Sequence, residues 1–165
     1  MVVLVSRHGR GLQRYRSGRR LVAGCIPYKF KMDKPLFGDI NQSVEVLVIS
    51  SQKGPELMFP KGGWELDETM TAAASREAFE EAGVRGNFEG WLGQWPSKEQ
   101  DKIHYMFALR VTEELQEWPE MDNRERKWVT MAEARQVCKH SWMKEALDKL
   151  EELLCTTSRQ EIGLA

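Results

Sequence analysis

Three carboxylates, Glu77, Glu80 and Glu81, stand at i, i+3 and i+4 in the run Arg76-Glu77-Ala78-Phe79-Glu80-Glu81. On a helix turning about 100° per residue they fall within roughly 100° of arc, so the spacing predicts one tightly anionic helical face. Such a face is either a solvated acidic surface or a cation site, because crowded carboxylate oxygens are the donors that a hard divalent ion takes. The element that must position them is a short helix. Its opposite arc carries Ala72, Ser75, Phe79 and Ala82, which are expected to dock on a sheet. Asp67 or Thr69 is placed to cap its start, and Gly83 to supply the left-handed residue that ends it.

Ahead of the helix stands Gly62-Gly63-Trp64-Glu65-Leu66-Asp67-Glu68. The whole stretch reads Gly62, five residues, Glu68, seven residues, Arg76-Glu77, then Glu80-Glu81-x-Gly83-Val84. It resembles the signature of the Nudix hydrolases, G-x5-E-x7-R-E-U-x-E-E-x-G-U, where U is a bulky aliphatic residue. Every fixed polar and glycine position is present, and Ala78 at the first U is the one departure. The resemblance implies an α/β fold, an α/β/α sandwich with a mixed central sheet, and hydrolysis of a diphosphate joined to a further group. It also implies roles. Glu77 and Glu81 are expected to ligate the principal Mg²⁺, with Mn²⁺ as a substitute and the Gly62 carbonyl completing the protein ligands. Glu80 is expected either to take the proton from the attacking water or to ligate a second ion. Arg76 reaches Glu80 at i+4 and orients it. Glu68 supports the site from behind, or simply places a negative charge near the helix N-terminus.

A narrower resemblance covers residues 14–150 and points to the diphosphoinositol-polyphosphate phosphohydrolase branch, particularly its plant members. The matching pieces include Gly24-Cys25-Ile26-Pro27-Tyr28, Phe59-Pro60-Lys61-Gly62-Gly63-Trp64-Glu65, Trp118-Pro119-Glu120 and Arg124-Glu125-Arg126-Lys127-Trp128. That branch cleaves inositol pyrophosphates and, in many members, diadenosine penta- and hexaphosphate. Its substrates are dense polyanions, and by family position Arg14, Arg20, Ser51, Gln52, Lys53, Lys61, Lys102, Arg124 and Arg126 correspond to substrate contacts. Arginine suits bidentate phosphate binding. Gln100 and Asp101 replace basic residues found in the animal members.

Charge distribution agrees with an anionic substrate. The net charge is only −1, yet residues 1–32 hold Arg7, Arg10, Arg14, Arg16, Arg19, Arg20, Lys29 and Lys31 and no acid. This segment reads as part of an anion site, as a solvated tail or as a mitochondrial transit peptide; its glycines and its run into a strand favour the first. The location expected on that basis is cytoplasmic or nuclear, with mitochondrial targeting the lesser alternative. The three cysteines, Cys25, Cys138 and Cys155, are odd in number and lack metal-type spacing, which reads as reduced thiols in the core. No apolar run reaches the length of a membrane span, and no secretory signal is visible. The expected partner is therefore a small polyphosphate substrate rather than a membrane or a nucleic acid, and the chain is expected to be a monomer.

Other readings stay open at this level. An ADP-ribose or nucleoside-triphosphate pyrophosphatase would want an aromatic clamp, for which Trp64, Trp91 and Trp95 are candidates. An RNA decapping enzyme and a non-catalytic polyanion binder also fit the basic segment.

The remaining chain predicts a single domain over residues 1–155, with segment 1–20 contributing to the substrate site, and a flexible tail over 156–165. Strands are expected at Arg20–Tyr28, at Ser43–Ser51 with both faces buried, at Leu57–Phe59, at Phe88–Trp95, at Ile103–Val111 and at Arg126–Val129. Pro27 is expected to confine the first to an edge or its end. A loop is read over Lys29–Gln42, a helix from about Met131, and a last helix after Ser141 with Trp142, Met143, Ala146, Leu147, Leu150 and Leu154 at core spacing.

Overall fold

The computed structural model describes residues 5–7, 9, 11–31, 40–97 and 101–161; Arg10 and Gln100 lie outside them. Strands β1 (Tyr15–Arg16), β2 (Arg19–Phe30), β3 (Val44–Ser50), β4 (Leu57–Met58), β5 (Lys61–Gly63), β6 (Val84–Ser97), β7 (Lys102–Glu114) and β8 (Arg126–Thr130) form one sheet. Its main path is β4-β3-β2-β7-β6, with β1 and β5 also on β2 and β8 on β3. The β2–β7 ladder is parallel and the others are antiparallel. The sheet is therefore mixed, as expected.

Alternation along the central strands sends side chains to two cores. Val44, Val46 and Val48 of β3 join Ile26, Met106 and Ala108 under α4 (Ser141–Glu161), with Trp142, Met143, Ala146, Leu147, Leu150 and Leu154. Leu47 and Ile49 face the other way, with Cys25, Leu109, Ala78 and Ala82. That second face is covered by α2 (Met70–Glu77) and by the turn of π-helix that continues it, Ala78–Ala82. Two further helices, α1 (Ile40–Ser43) and α3 (Met131–Val137), complete the α/β/α sandwich. The stretch read as a loop, Lys29–Gln42, holds the last two residues of β2 and the first three of α1.

Several expectations need correcting. Pro27 does not mark an edge, since β2 is paired along both sides. Its other ladders cover Val22–Gly24 with β5 and Tyr28–Phe30 with β3. The missing N–H of Pro27 falls in the gap between them, where no ladder needs it. The helix that carries the carboxylates docks through Ala73, Ala74, Ala78 and Ala82, all fully buried, whereas Ala72 and Ser75 are exposed. Phe79 lies outward, beneath the Arg85 guanidinium. The substituted signature position, Ala78, is thus a packing residue, and its small size lets the helix sit close on Cys25 and Leu47. Finally, α4 runs to Glu161, into the stretch read as a tail; no glycine or proline interrupts it before Gly163.

Candidate active site

Thr69, not Asp67, caps α2, its side chain accepting from the Ala72 amide at 3.1 Å. After Glu77 the backbone widens into the π turn, and Gly83 closes it in the left-handed region at φ 65°. Single π turns inside helices recur at functional sites, because the extra residue re-aims the side chains around it. Here it delivers Glu80 and Glu81 beside Glu77 in a buried cluster, at 4%, 7% and 7% exposure. The anionic face is therefore not solvated.

Arg76 is the hub. Its Nε donates to Glu68 at 2.6 Å and one Nη to Glu77 at 2.8 Å and to Glu80 at 3.2 Å. The other Nη donates to Glu68 at 2.9 Å and to the Gly63 carbonyl at 2.9 Å. Glu68 also accepts from the Glu65 amide, so it holds the loop and the hub together behind the carboxylates. Glu81 accepts from the Lys61 amide at 2.9 Å and from Arg124 at 2.9 Å. Gly62 faces Glu77 so closely that a Cβ there would overlap its carboxylate. This is the physical reason for glycine at that position.

Burial raises the proton affinity of all three glutamates. Desolvation, with Glu81 beside it, pushes Glu77 well above the usual carboxylate range, and desolvation lifts Glu80 despite Arg76. Glu81 is pushed up to about 7, burial outweighing the pull of Arg124. Buried carboxylates that raise one another's proton affinity and line one cavity with Gly62 are donors of the kind that a hard divalent cation takes.

The cluster opens into a cavity of about 740 Å³. Of the residues expected to contact substrate, Arg20, Gln52, Lys53, Lys61, Lys102 and Arg124 line it. Val5, Ser6, Arg7 and Gly9 form part of its wall, so the basic segment does reach the site. Arg7 donates its backbone N–H to Glu80 at 3.2 Å and pairs through its side chain with Glu65 and Asp67.

Three expected contacts lie elsewhere. Arg14 stacks on Trp64 at 4.3 Å and donates to the carbonyls of Glu65, Leu66 and Glu68. Ser51 is outside the lining, and its hydroxyl accepts from the Lys53 amide. Arg126 caps the end of the π turn, donating to Ala82 at 2.9 Å, Gly83 at 3.3 Å and Leu115 at 2.5 Å while stacking on Trp118. Short motif matches could not separate a cation that holds carbonyls from one that holds phosphate. Arg126→Ala is expected to cost about 2–4 kcal/mol, since it strands several carbonyls at once. Urea denaturation measures the loss, and KM of the protein still folded should stay within about threefold of wild type.

Other cavity residues carried no role in the sequence reading. Glu120, 9% exposed, accepts from Arg124 at 2.8 Å, Gln52 at 2.7 Å and Ser6 at 2.8 Å, and its amide donates to the Glu80 carbonyl. Gln13 accepts from Arg20 and packs against Gly63. Both sat inside matched motifs, Glu120 in Trp118-Pro119-Glu120 and Gln13 in Gln13-Arg14-Tyr15, with no role assigned to either. Trp64, Trp91 and Trp95 line no part of the cavity. Trp91 instead packs on Tyr105 and Phe107.

The model of the NUDIX domain matches residues 36–150, which include every carboxylate of the cluster. The chain belongs to the Nudix family. Its relatives include the plant Nudix hydrolase 17, mitochondrial, of Arabidopsis thaliana, 54% identical over 97% of this chain and 89% of the relative. More distant is diphosphoinositol polyphosphate phosphohydrolase 2 of Mus musculus, 36% identical over 82% and 73%. Among solved structures, an Ap4A hydrolase of C. elegans in a binary complex superposes with a TM-score of 0.61 at 19% identity, covering 82% of this chain and 98% of that one. That likeness shows the Nudix fold alone. Nudix hydrolases generally use divalent metals, and the donor set described above suits one. No helix among the described residues is long and apolar enough to cross a membrane.

The titration of this Nudix site should be visible in its stability. A carboxyl held up to about 7 in the folded chain, against about 4.5 unfolded, keeps its proton longer when folded. Without metal, this group's contribution to stability therefore declines as pH rises from about 4.5 to about 7, and stays low above. A cation that binds the ionised form reverses the loss. The rise in Tm caused by saturating Mg²⁺ is expected to be larger at pH 8 than at pH 5.5. Equal rises at the two pH values in a thermal melt would count against it.

Proposed function

We propose that this Nudix hydrolase cleaves the diphosphate of inositol pyrophosphates, releasing phosphate, in a reaction dependent on Mg²⁺ with Mn²⁺ as a substitute. The observation that carries the reading is the lining of the cavity. Cations from separate segments, Arg20 on β2, Lys53 in the turn after β3, Lys61 on β5 and Lys102 on β7, converge on the carboxylate cluster. Among its described lining residues there is no aromatic ring. A compact polyanion uses convergent cations; a nucleoside diphosphate calls for a ring to stack on its base. Similarity to the mouse diphosphoinositol polyphosphate phosphohydrolase supports the same reading.

Glu77, Glu81 and the Gly62 carbonyl would hold the cation, with Glu80 as base or further ligand. The bound ion would neutralise phosphate charge and acidify water. Arg76 keeps Glu77 and Glu80 aimed, and the convergent cations seat the phosphates. Diadenosine penta- or hexaphosphate is the second substrate reading, since a linear phosphate chain fits the same cationic wall. Location is revised as well. Relatives named mitochondrial, and one named chloroplastic, favour an organelle, mitochondria first. They give no support to the cytoplasmic or nuclear expectation.

The test is a competitive turnover panel with Mg²⁺, comparing 5-InsP7, 1-InsP7, Ap5A, Ap6A, ADP-ribose and capped RNA. Phosphate release from an InsP7 isomer ahead of the rest is expected. Efficient cleavage of ADP-ribose or Ap5A with none from either InsP7 isomer would overturn it.

A further inference from the structure

Arg124 lies in the cavity wall, yet its side chain is only 8% exposed and its nitrogens are already committed. Nε donates to Glu120 at 2.8 Å, one Nη to the Ser50 carbonyl at 2.9 Å and the other Nη to Glu81 at 2.9 Å. Three of the five N–H donors of a guanidinium are thereby used, one from each nitrogen, which fixes its plane. The partners are themselves tied down. Gln52 donates to the same Glu120 oxygen as Arg124, and Ser6 to the other. The Glu120 amide is bonded to the Glu80 carbonyl. The loop that carries Arg124 is clipped to the end of β3 by Glu125 and Ser50, each amide bonded to the other residue.

We propose that Arg124 is a positioning residue for Glu81, held by a clamp of Glu120 and Gln52, and that it sets metal affinity more than polyphosphate affinity. The inference rests on the reading of Glu81 as a metal ligand. A glutamate has three side-chain torsions and no preferred aim of its own. Glu81 has two fixed donors, the rigid Lys61 amide on one oxygen and Arg124 on the other. Removing Arg124 frees one oxygen and leaves Glu120 without its cation. Partners of metal-bound carboxylates that are removed in this way typically cost 10–100-fold in metal affinity. A lysine carries the charge but cannot bridge two carboxylates and a carbonyl from fixed directions. Arg124→Lys should therefore rescue little.

The experiment titrates Mn²⁺ into the full chain without substrate, following the free-ion signal by electron paramagnetic resonance. Wild type, Arg124→Ala, Arg124→Lys and Glu120→Gln are compared, with circular dichroism melts on each. Kd for Mn²⁺ is expected to rise at least about tenfold in both Arg124 variants, and by less in Glu120→Gln, which keeps the shape of the clamp. In turnover, kcat should fall with KM within about threefold of wild type. Should Arg124→Ala not fold, Arg124→Lys and Glu120→Gln carry the test. Unchanged Mn²⁺ affinity in the variants, with KM rising as the substrate carries more phosphates, would overturn the inference and make Arg124 a phosphate contact. Wild type that takes up no Mn²⁺ would overturn it together with the metal site. Failure of the inositol substrate alone would leave the Mn²⁺ difference in place, so the two readings are separable.

Discussion

Glu81→Gln is expected to lower turnover by at least about two orders of magnitude while the chain stays folded, and Glu80→Gln to do the same. The amide keeps the shape of the acid and one of the two oxygens that accept at Glu81, so the loss reports mainly charge. Glu77, Glu80 and Glu81 are buried together and share few cations. Neutralising one of them removes repulsion, so without metal the Tm should hold or rise. The same substitution on a solvated face would change neither rate nor Tm. Phosphate release with Mg²⁺ and a thermal melt with EDTA measure the two quantities. Full turnover in EDTA, or a wild-type rate in either variant, would remove the carboxylate cluster from the mechanism.

The second large effect belongs to the cationic wall. Arg20 and Lys102 face each other in the parallel β2–β7 ladder and both line the cavity. Replacing both by Ala is expected to raise KM for an InsP7 isomer on the order of a hundredfold, as two charge-assisted contacts are lost. KM for ADP-ribose, with two phosphates, should move within about threefold. The difference should shrink at higher salt as exposed charges are screened. Equal KM changes for both substrates would mean that the pair shapes the cavity without reading phosphate number.

Much of this was legible in the sequence because it is local. The spacing from Gly62 to Val84 specifies a helix, a left-handed stop and a set of carboxylates, and the structure holds each of them, with Gly62 and Gly63 on strand β5. The near-continuous apolar run of Val44, Val46, Leu47, Val48 and Ile49 predicted a central strand buried on both faces, which β3 is. Capping is equally local, and Thr69 was one of two candidates.

What escaped the sequence depends on groups far apart along it. Regular helical spacing placed the glutamates on one face but could not include the π turn, which arises where the helix packs against the sheet and shifts the aim of Glu80 and Glu81. Nor could it say that this face is buried, since the cover comes from segment 5–7 and from the loop around Glu120. Cations were the least legible of all. Arg14, Arg20, Arg124 and Arg126 look alike as motif members, yet they bind loop carbonyls, line the cavity, clamp a glutamate and cap a helix in turn. The sequence by itself determined the family of this protein and the carboxylates it carries, because the residues that mark both lie on one short stretch from Gly62 to Val84. Only the tertiary structure decided which cations line the cavity, because a guanidinium takes whichever acceptors the fold brings within about 3 Å of it.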